Sequence, residues 1–168
     1  MPAARVDGFT LVELSIVITL LAILSWLAYP SLGSIDEIRL DAAARRVAAD
    51  LRYAQNRAIG SRTIHGVRFD VGAGRYIVYA GNSGTAVVNP ADRGKNLVVT
   101  FDALTETRGV GIESASFGAT PGVTFDFYGV PRDSAGVELV AAGRVVLLFQ
   151  GRRDTVEVAP QTGAIRVP

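Results

Sequence analysis

The chain lacks cysteine and has few residues of several other reactive types. Its 168 residues include no Cys, one Met and one His. Without thiols, no disulfide can cross-link the fold and no thiolate can bind a metal ion, so the chain must hold together by packing. General acid–base catalysis needs a positioned partner, and no such pattern surrounds the only histidine, His65. We therefore expect His65 to be structural or solvent-facing.

The chain also lacks an excess of positive or negative charge. The chain has 17 basic and 16 acidic residues and a net charge of +1. No long-range field therefore draws the whole molecule toward nucleic acid or anionic lipid. Any binding of that kind must depend on a local cluster.

Motifs for catalysis, metal or cofactor binding are absent from the pattern. The pairs Gly72/Gly74 and Gly109/Gly111 lack the strand-then-helix context of a phosphate-binding loop. The carboxylates are scattered, without the spacing of a calcium loop, as seen at Asp126, Asp133 and Asp154. No nucleophile-elbow sequence occurs, although folding could still assemble a Ser/His/Asp triad. The sequence thus predicts a non-enzymatic protein with no catalytic residues, metal or cofactor.

The most informative stretch is a long run without charge. From Leu14 to Ile35 no side chain is charged, and about 22 residues at 1.5 Å each make a helix of about 33 Å, long enough to cross a bilayer. Glu13 lies just before this run among Leu, Val and Ile. An ionisable residue in such a segment costs a few kcal/mol and needs a cationic partner, which nothing nearby in the chain supplies.

These residues carry a resemblance to a known signal. Gly8 follows a short polar leader and precedes Phe9-Thr10-Leu11-Val12-Glu13 and the apolar run, which resembles the class III signal of type IV pilins and type II secretion pseudopilins. The resemblance implies that a prepilin peptidase cuts between Gly8 and Phe9 and that the new Phe9 amine is N-methylated. It also implies that Glu13 meets the Phe9 amine of a neighbouring subunit in a filament, chiefly as a register device, because desolvation consumes much of the attraction.

Three other interpretations of this stretch exist. An ordinary secretory signal peptide has a shorter apolar core followed by a small-residue cleavage site, whereas this run ends in Trp26 to Pro30. A plain membrane anchor explains the length but not Gly8 or Glu13. A buried helix of a soluble protein is disfavoured by the uninterrupted apolar circumference.

The pilin resemblance also implies a location and an orientation. It predicts a single-pass protein of the bacterial inner membrane, with the leader in the cytoplasm and the head in the periplasm. After assembly it predicts a periplasmic filament or pilus. Charge bias alone is weak, because Arg5 stands against a mixed Asp36, Glu37 and Arg39 cluster.

Two features interrupt the helix near its middle. Pro30 removes a backbone donor, Gly33 follows, and we expect a kink there. The sequence Ser34 to Glu37 has the form of a capping box that restarts a helix. Either one bent helix or two helices would fit this pattern.

The next segment is an amphipathic helix that runs to Ile59. Its apolar residues recur at spacings of three and four, namely Leu40, Ala44, Val47, Leu51, Ala54 and Ala58. We expect this face to pack on a sheet, with Asp41 and Arg45 paired on the polar side. The predicted division of the chain is a leader over 1–8, a filament-core helix over 9–33, an amphipathic helix over 34–60 and a β-rich head over 61–168.

After Gly60 the sequence predicts short strands punctuated by glycine. A hairpin is expected around the turn 71–74, and a long loop from Gly81 to Asn96. Further strands are expected at 97–101, 110–113, 123–127, 145–149, 155–158 and 165–167, with 145–149 central and covered on both faces. This layout predicts the α+β class, a long N-terminal helix packed on a mostly antiparallel sheet.

Three segments extend the resemblance to the whole chain. Leu51 to Ile59, Phe127 to Pro131, and Val156 to Val167 with its Thr162-Gly163 turn are similar to the H-type minor pseudopilin family (GspH/FimT). The resemblance implies a subunit at or near the tip of a type II secretion pseudopilus or type IV pilus, with other pilins as partners.

An alternative function is DNA binding. Some FimT-type minor pilins take up DNA through C-terminal arginines, and the candidates here are Arg144, Arg152, Arg153 and Arg166. Gly151-Arg152-Arg153-Asp154 matches that pattern only in part, since Asp154 would oppose phosphate. Ordinary solvated arginines are the competing interpretation.

Overall fold

A computed structural model describes the backbone of residues 9–28, 32–81 and 85–168, with the side chains of 27, 28 and 32–35 left out. The chain divides into two compact units, residues 1–35 and 36–168, which are described in turn. The first unit contains helix α1, Leu11–Ala28. Its 18 residues correspond to about 27 Å. Within the described residues, no helix combines the length and the apolar character needed to cross a membrane.

Helix α2, Leu32–Ser61, carries the amphipathic pattern. All six residues of the predicted apolar stripe are buried, and Arg45 and Asp41 pair on the polar side at 2.9 Å. The helix begins at Leu32, so Ser34 lies inside it and the predicted capping-box start at Ser34 is wrong. Gly33 likewise has helical backbone, whereas Pro30 lies outside the described residues.

The described residues form two sheets, the first with six strands. They are β1 His65–Asp70, β2 Arg75–Ala80, β3 Thr85–Ala86, β4 Val98–Thr100, β6 Gly122–Phe125 and β7 Pro131–Asp133. The order is β3-β2-β1-β6-β7, with β4 also paired to β2. The hairpin β1–β2 closes around residues 71–74 as predicted.

The second sheet has four strands. They are β5 Gly111–Ser116, β8 Gly143–Phe149, β9 Arg152–Val158 and β10 Ile165–Arg166, in the order β10-β9-β8-β5. Every described strand pair is antiparallel. The predicted α+β class is confirmed, but the head has two sheets where one was expected.

One hydrophobic core joins α2 to both sheets. The Ala-rich face of α2 (Ala43, Ala44, Val47) shares this core with Val67 and Val123 of the first sheet and with strands of the second sheet. In the second sheet the contributing side chains are Val145, Leu147, Phe149, Val156 and Val158. Small side chains allow α2 to approach the strands closely, so the helix serves as the common backing of two sheets.

Three local predictions need correction. The loop 81–96 is partly ordered by β3 and by a bridge between Val88 and Asn96, although residues 82–84 lie outside the description. The predicted strand 123–127 stops at Phe125, because Asp126 turns the chain by accepting amide hydrogen bonds, and Phe127 is exposed. Strand β8 is central, but Val146 is only partly buried, so its second face is not fully covered.

Candidate functional site

The segment that precedes α1 places the predicted assembly residues at a helix start. Phe9 and Thr10 are not helical, and Phe9 is 80% exposed. Thr10 Oγ1 accepts a hydrogen bond from the Glu13 amide at 3.2 Å, and the Thr10 carbonyl accepts one from Leu14 at 3.1 Å. Thr10 is therefore the N-cap of α1, and Glu13 lies in its first turn, where the helix dipole favours a carboxylate.

A sequence signal for this cap exists that the charge pattern alone does not reveal. Thr10 and Glu13 have the Ser/Thr-x-x-Glu spacing that starts a helix. Among the described residues Glu13 has no ion-pair partner, and its side chain is exposed. The predicted roles of Phe9 and Glu13 concern processing and a second subunit and stay predictions, while Gly8 lies outside the described residues.

The surface of α1 is apolar on every side. All its described large apolar side chains are exposed, from Leu11 at 83% to Trp26 at 78%. The hydroxyls of Ser15 and Thr19 each donate to a carbonyl of the preceding turn, Leu11 and Ser15 respectively, at 2.8 Å. These polar groups thus need no water, and Glu13 is the one ionisable side chain of α1.

The four candidate DNA-binding arginines do not form one basic surface. In the β8–β9 register, Arg152 pairs with the buried Phe149, whereas Arg153 pairs with Leu148 on the opposite face. Arg152 Nη1 contacts Glu37 of α2 at 3.3 Å. Two of the candidates, Arg152 and Arg153, therefore point to opposite sides of the second sheet.

Carboxylates balance most of this charge. Arg153 makes a bidentate contact with Glu113 at 2.6 and 2.7 Å, and Arg144 contacts Glu157 at 2.8 Å. The Arg153 hydrogen bond lowers the pKa of the Glu113 carboxyl, so Glu113 stays ionised to a lower pH than an unpaired glutamate does. Arg166 alone of the four has no carboxylate partner among the described residues.

Gln55, near the end of α2, contacts the other two segments that resemble the H-type family, and we call these contacts the Gln55 clasp. Gln55 Nε2 donates to the Gly129 carbonyl at 3.0 Å and to the Thr162 carbonyl at 3.3 Å. A Cβ at Gly163 would lie 2.5 Å from the same Nε2 and 2.7 Å from the Gly129 oxygen. Only glycine fits at position 163. The two Gln55 hydrogen bonds hold the turns at Gly129 and Thr162 against α2.

A buried polar network joins α2 to the first sheet. Asp50 is only 8% exposed, and its Oδ2 accepts from the Tyr76 hydroxyl at 2.7 Å and from Arg46 Nε at 3.1 Å. Burial, and then the adjacent carboxylate, raises the pKa of the Tyr76 hydroxyl well above its ordinary value of 10.0. Sequence reasoning missed this network, although Asp50 interrupts an apolar helix face.

The lone histidine has a structural position. His65 is buried at the start of β1, with Nδ1 2.8 Å from the Thr63 carbonyl. Asp126 and Asp133 each bind backbone amides of their own turns. Within the described part of the chain, no three His, Asp or Glu residues cluster as metal ligands would.

Comparison with known sequences gives one motif. The prokaryotic N-terminal methylation motif family matches residues 4–29. No curated protein sequence matches the chain.

Comparison with solved structures identifies the fold. Two structures of the minor pseudopilin EpsH from the Type 2 Secretion System of Vibrio cholerae match with TM-scores of 0.52 and 0.54 at 14% and 15% identity. They cover 77% of this chain and 96% and 92% of their own chains. The type IV minor pilin FimU of Pseudomonas aeruginosa matches with a TM-score of 0.50 at 18% identity, over 77% of this chain and 87% of its own.

These matches are to pilin and pseudopilin subunits, and at 14% to 18% identity they show a shared fold. The motif lies at the N-terminus, and the structural matches cover 77% of the chain. The chain therefore combines an N-terminal methylation motif with the fold of minor pseudopilins and minor pilins.

Proposed function

We propose that the chain is a structural subunit, a minor pilin or minor pseudopilin, at or near the tip of a type II secretion pseudopilus or type IV pilus. A prepilin peptidase removes residues 1–8, and the new Phe9 amine is methylated. Residues 9–33 hold the precursor in the inner membrane and later enter the filament core, while the head lies in the periplasm.

The observation that carries the proposal is the surface of α1. A helix whose exposed side chains are apolar all round has no stable place in water, and covering it with lipid or other apolar helices removes that cost. The internal hydrogen bonds of Ser15 and Thr19 suit the same environment.

Glu13 supplies the register in this proposal. Its carboxylate lies in the first turn of an apolar helix and has no cationic partner among the described residues. Cleavage after Gly8 creates a positive amine at Phe9, and a neighbouring subunit can present that amine to Glu13. A mismatched register would leave the carboxylate unpaired in an apolar environment, which is strongly unfavourable.

The first test is processing. Intact-mass measurement should show a mature chain that starts at Phe9 and carries one added methyl group. Replacing Gly8 with Val should leave the full-length precursor in the membrane. A mature chain of normal mass from that variant would contradict the peptidase step.

The second test is assembly. Glu13→Gln keeps the size of the side chain and removes its charge, and we expect membrane insertion to persist while incorporation into sheared filaments falls about tenfold or more. Ser15→Ala is the matched control, because its hydroxyl bonds only to its own helix, and it should assemble normally. Equal incorporation of Glu13→Gln and the control would rule out the register role.

A further inference from the structure

The outer face of the first sheet carries a groove that the assembly proposal does not use. Its floor is a cross-strand row formed by Tyr79, Gly66, Thr124 and Arg132, one from each of β2, β1, β6 and β7. A Cβ at Gly66 would lie 2.8 Å from Tyr79 Cζ, so glycine lets the tyrosine ring lie flat on the sheet. The groove encloses about 670 Å³, within the usual range of ligand pockets.

Aromatic side chains form one wall of this aromatic groove, which we define by Arg62, Tyr79, Thr124, Phe127, Tyr128 and Arg132. Phe127 and Tyr128 are 48% and 76% exposed, and their ring centroids lie 4.3 Å apart. Asp126 fixes their turn by accepting hydrogen bonds from the amides of Tyr128 and Val130 at 2.9 and 3.0 Å. Exposed, rigidly held aromatic residues are typical of protein-binding surfaces.

Arg62 contributes a charge from an unusual backbone position. It follows the last residue of α2 and has a φ of 52°, where glycine is the usual residue. Its side chain lines the groove, and no hydrogen bond or ion pair holds it within residues 32–81 and 85–168. A strained arginine with an uncommitted guanidinium suggests a binding role.

The other charges in the groove are balanced. Arg132 lies 3.6 Å from Asp126 and 2.8 Å from Glu138. Arg62 is therefore the one cation of the groove lining without a carboxylate partner in the described structure. This arrangement suits one carboxylate, whereas a polyphosphate chain would need several cations and would meet Asp126.

We propose that the aromatic groove binds a segment of a partner protein that presents one Asp or Glu between apolar residues. The carboxylate accepts a bidentate hydrogen bond from Arg62, and the apolar residues pack on Phe127 and Tyr128. The groove belongs to the unit 36–168, so this binding does not depend on the proposed roles of Phe9 and Glu13.

Site-specific photo-crosslinking of the full chain in cells tests the proposal. The photoreactive residue p-benzoylphenylalanine placed at Tyr128 should give a protein adduct whose mapped peptide contains an Asp or Glu. Arg62→Gly removes the charge and also relieves the backbone strain, so it should fold normally and lower the adduct yield about tenfold, the loss expected for one charge-assisted hydrogen bond. Arg62→Lys keeps the charge but loses the bidentate geometry, so its yield should lie between those of the wild type and Arg62→Gly.

A charge swap provides the specific readout. Arg62→Glu should abolish the adduct, and changing the mapped carboxylate of the partner to Lys should restore it. The same photoreactive residue at Val140, which is 96% exposed and lies outside the groove, is the control and should be insensitive to Arg62. The proposal is overturned if the Tyr128 adduct is a nucleic acid, a lipid or a second copy of this chain, or if Arg62→Gly leaves its yield unchanged.

Discussion

The most direct test of how the head is held together is removal of one hydroxyl, Tyr76→Phe. The Tyr76 ring is fully buried, with ring centroids 5.5 Å from Phe69 and 5.9 Å from Phe101. Phenylalanine preserves this packing and removes only the hydroxyl, with its 2.7 Å hydrogen bond to Asp50 and its interaction with Arg46. The substitution therefore isolates the contribution of one hydroxyl that links the first sheet to α2.

The expected magnitude follows from the charge of the acceptor. A hydrogen bond to an ionised group contributes about 1.5–3 kcal/mol, more than a neutral one. Asp50 keeps its 3.1 Å contact with Arg46 in the variant, so the carboxylate is not left wholly unpaired. We therefore expect a loss of about 2 kcal/mol, which corresponds to a fall in melting temperature of about 6 °C for a domain of this size.

Urea unfolding of the fragment 36–168, followed by circular dichroism, measures this loss. Tyr128→Phe is the matched control, because that tyrosine is exposed, and it should change the free energy of unfolding by less than about 0.5 kcal/mol. Asp50→Ala alone and combined with Tyr76→Phe should give a coupling energy of about 1 kcal/mol or more. Equal stability of Tyr76→Phe and wild type would refute the reasoning.

The same pair of proteins gives a pH signature. The raised pKa of Tyr76 means that the unfolded chain releases the phenol proton at a lower pH than the folded chain. The contribution of the neutral hydroxyl is complete below the ordinary pKa of about 10 and is lost as the pH rises above it. The stability difference between wild type and Tyr76→Phe should therefore be constant between pH 7 and 9 and shrink above pH 10.

Two further predictions concern the clasp and the arginines. Gln55→Ala should lower the free energy of unfolding by about 1–2 kcal/mol and speed hydrogen exchange at Gly163, whereas Asn56→Ala, on the exposed side of α2, should do neither. In a gel shift at physiological salt, the fragment 36–168 should not bind DNA at micromolar concentration, because carboxylates pair with Arg152 and Arg153. Steeply salt-dependent binding that is lost when both arginines are replaced by Ala would support the DNA receptor instead.

Local periodicity explains what the sequence could predict. A spacing of three and four defines one face of a helix whatever surrounds it, and so the stripe from Leu40 to Ala58 was found buried as a whole. The β1–β2 hairpin was equally accessible, because Gly74 with a φ of 57° ends a short turn between two alternating strands. These features depend on residues that are near one another in the chain.

Long-range partners explain what it could not predict. Asp50 and Tyr76 are 26 positions apart, and Gln55 reaches Gly129 and Thr162 across 74 and 107 positions. No local spacing encodes such pairs. The resemblance to H-type minor pseudopilins singled out the segments of the Gln55 clasp without the physical reason, which is a shared contact among three turns of chain.

The distribution of the core explains why the chain has two units. Every described residue of the hydrophobic core lies between Leu40 and Ile165, so the unit 36–168 has a packed core of its own. The described large apolar side chains of α1 are exposed, and a helix with so many exposed apolar side chains is stable only where other apolar groups cover it. The uncharged run from Leu14 to Ile35 lies before the first residue of this core. Lipid or the apolar helices of other subunits would cover such a segment, and this is the physical basis for the proposed membrane and filament role.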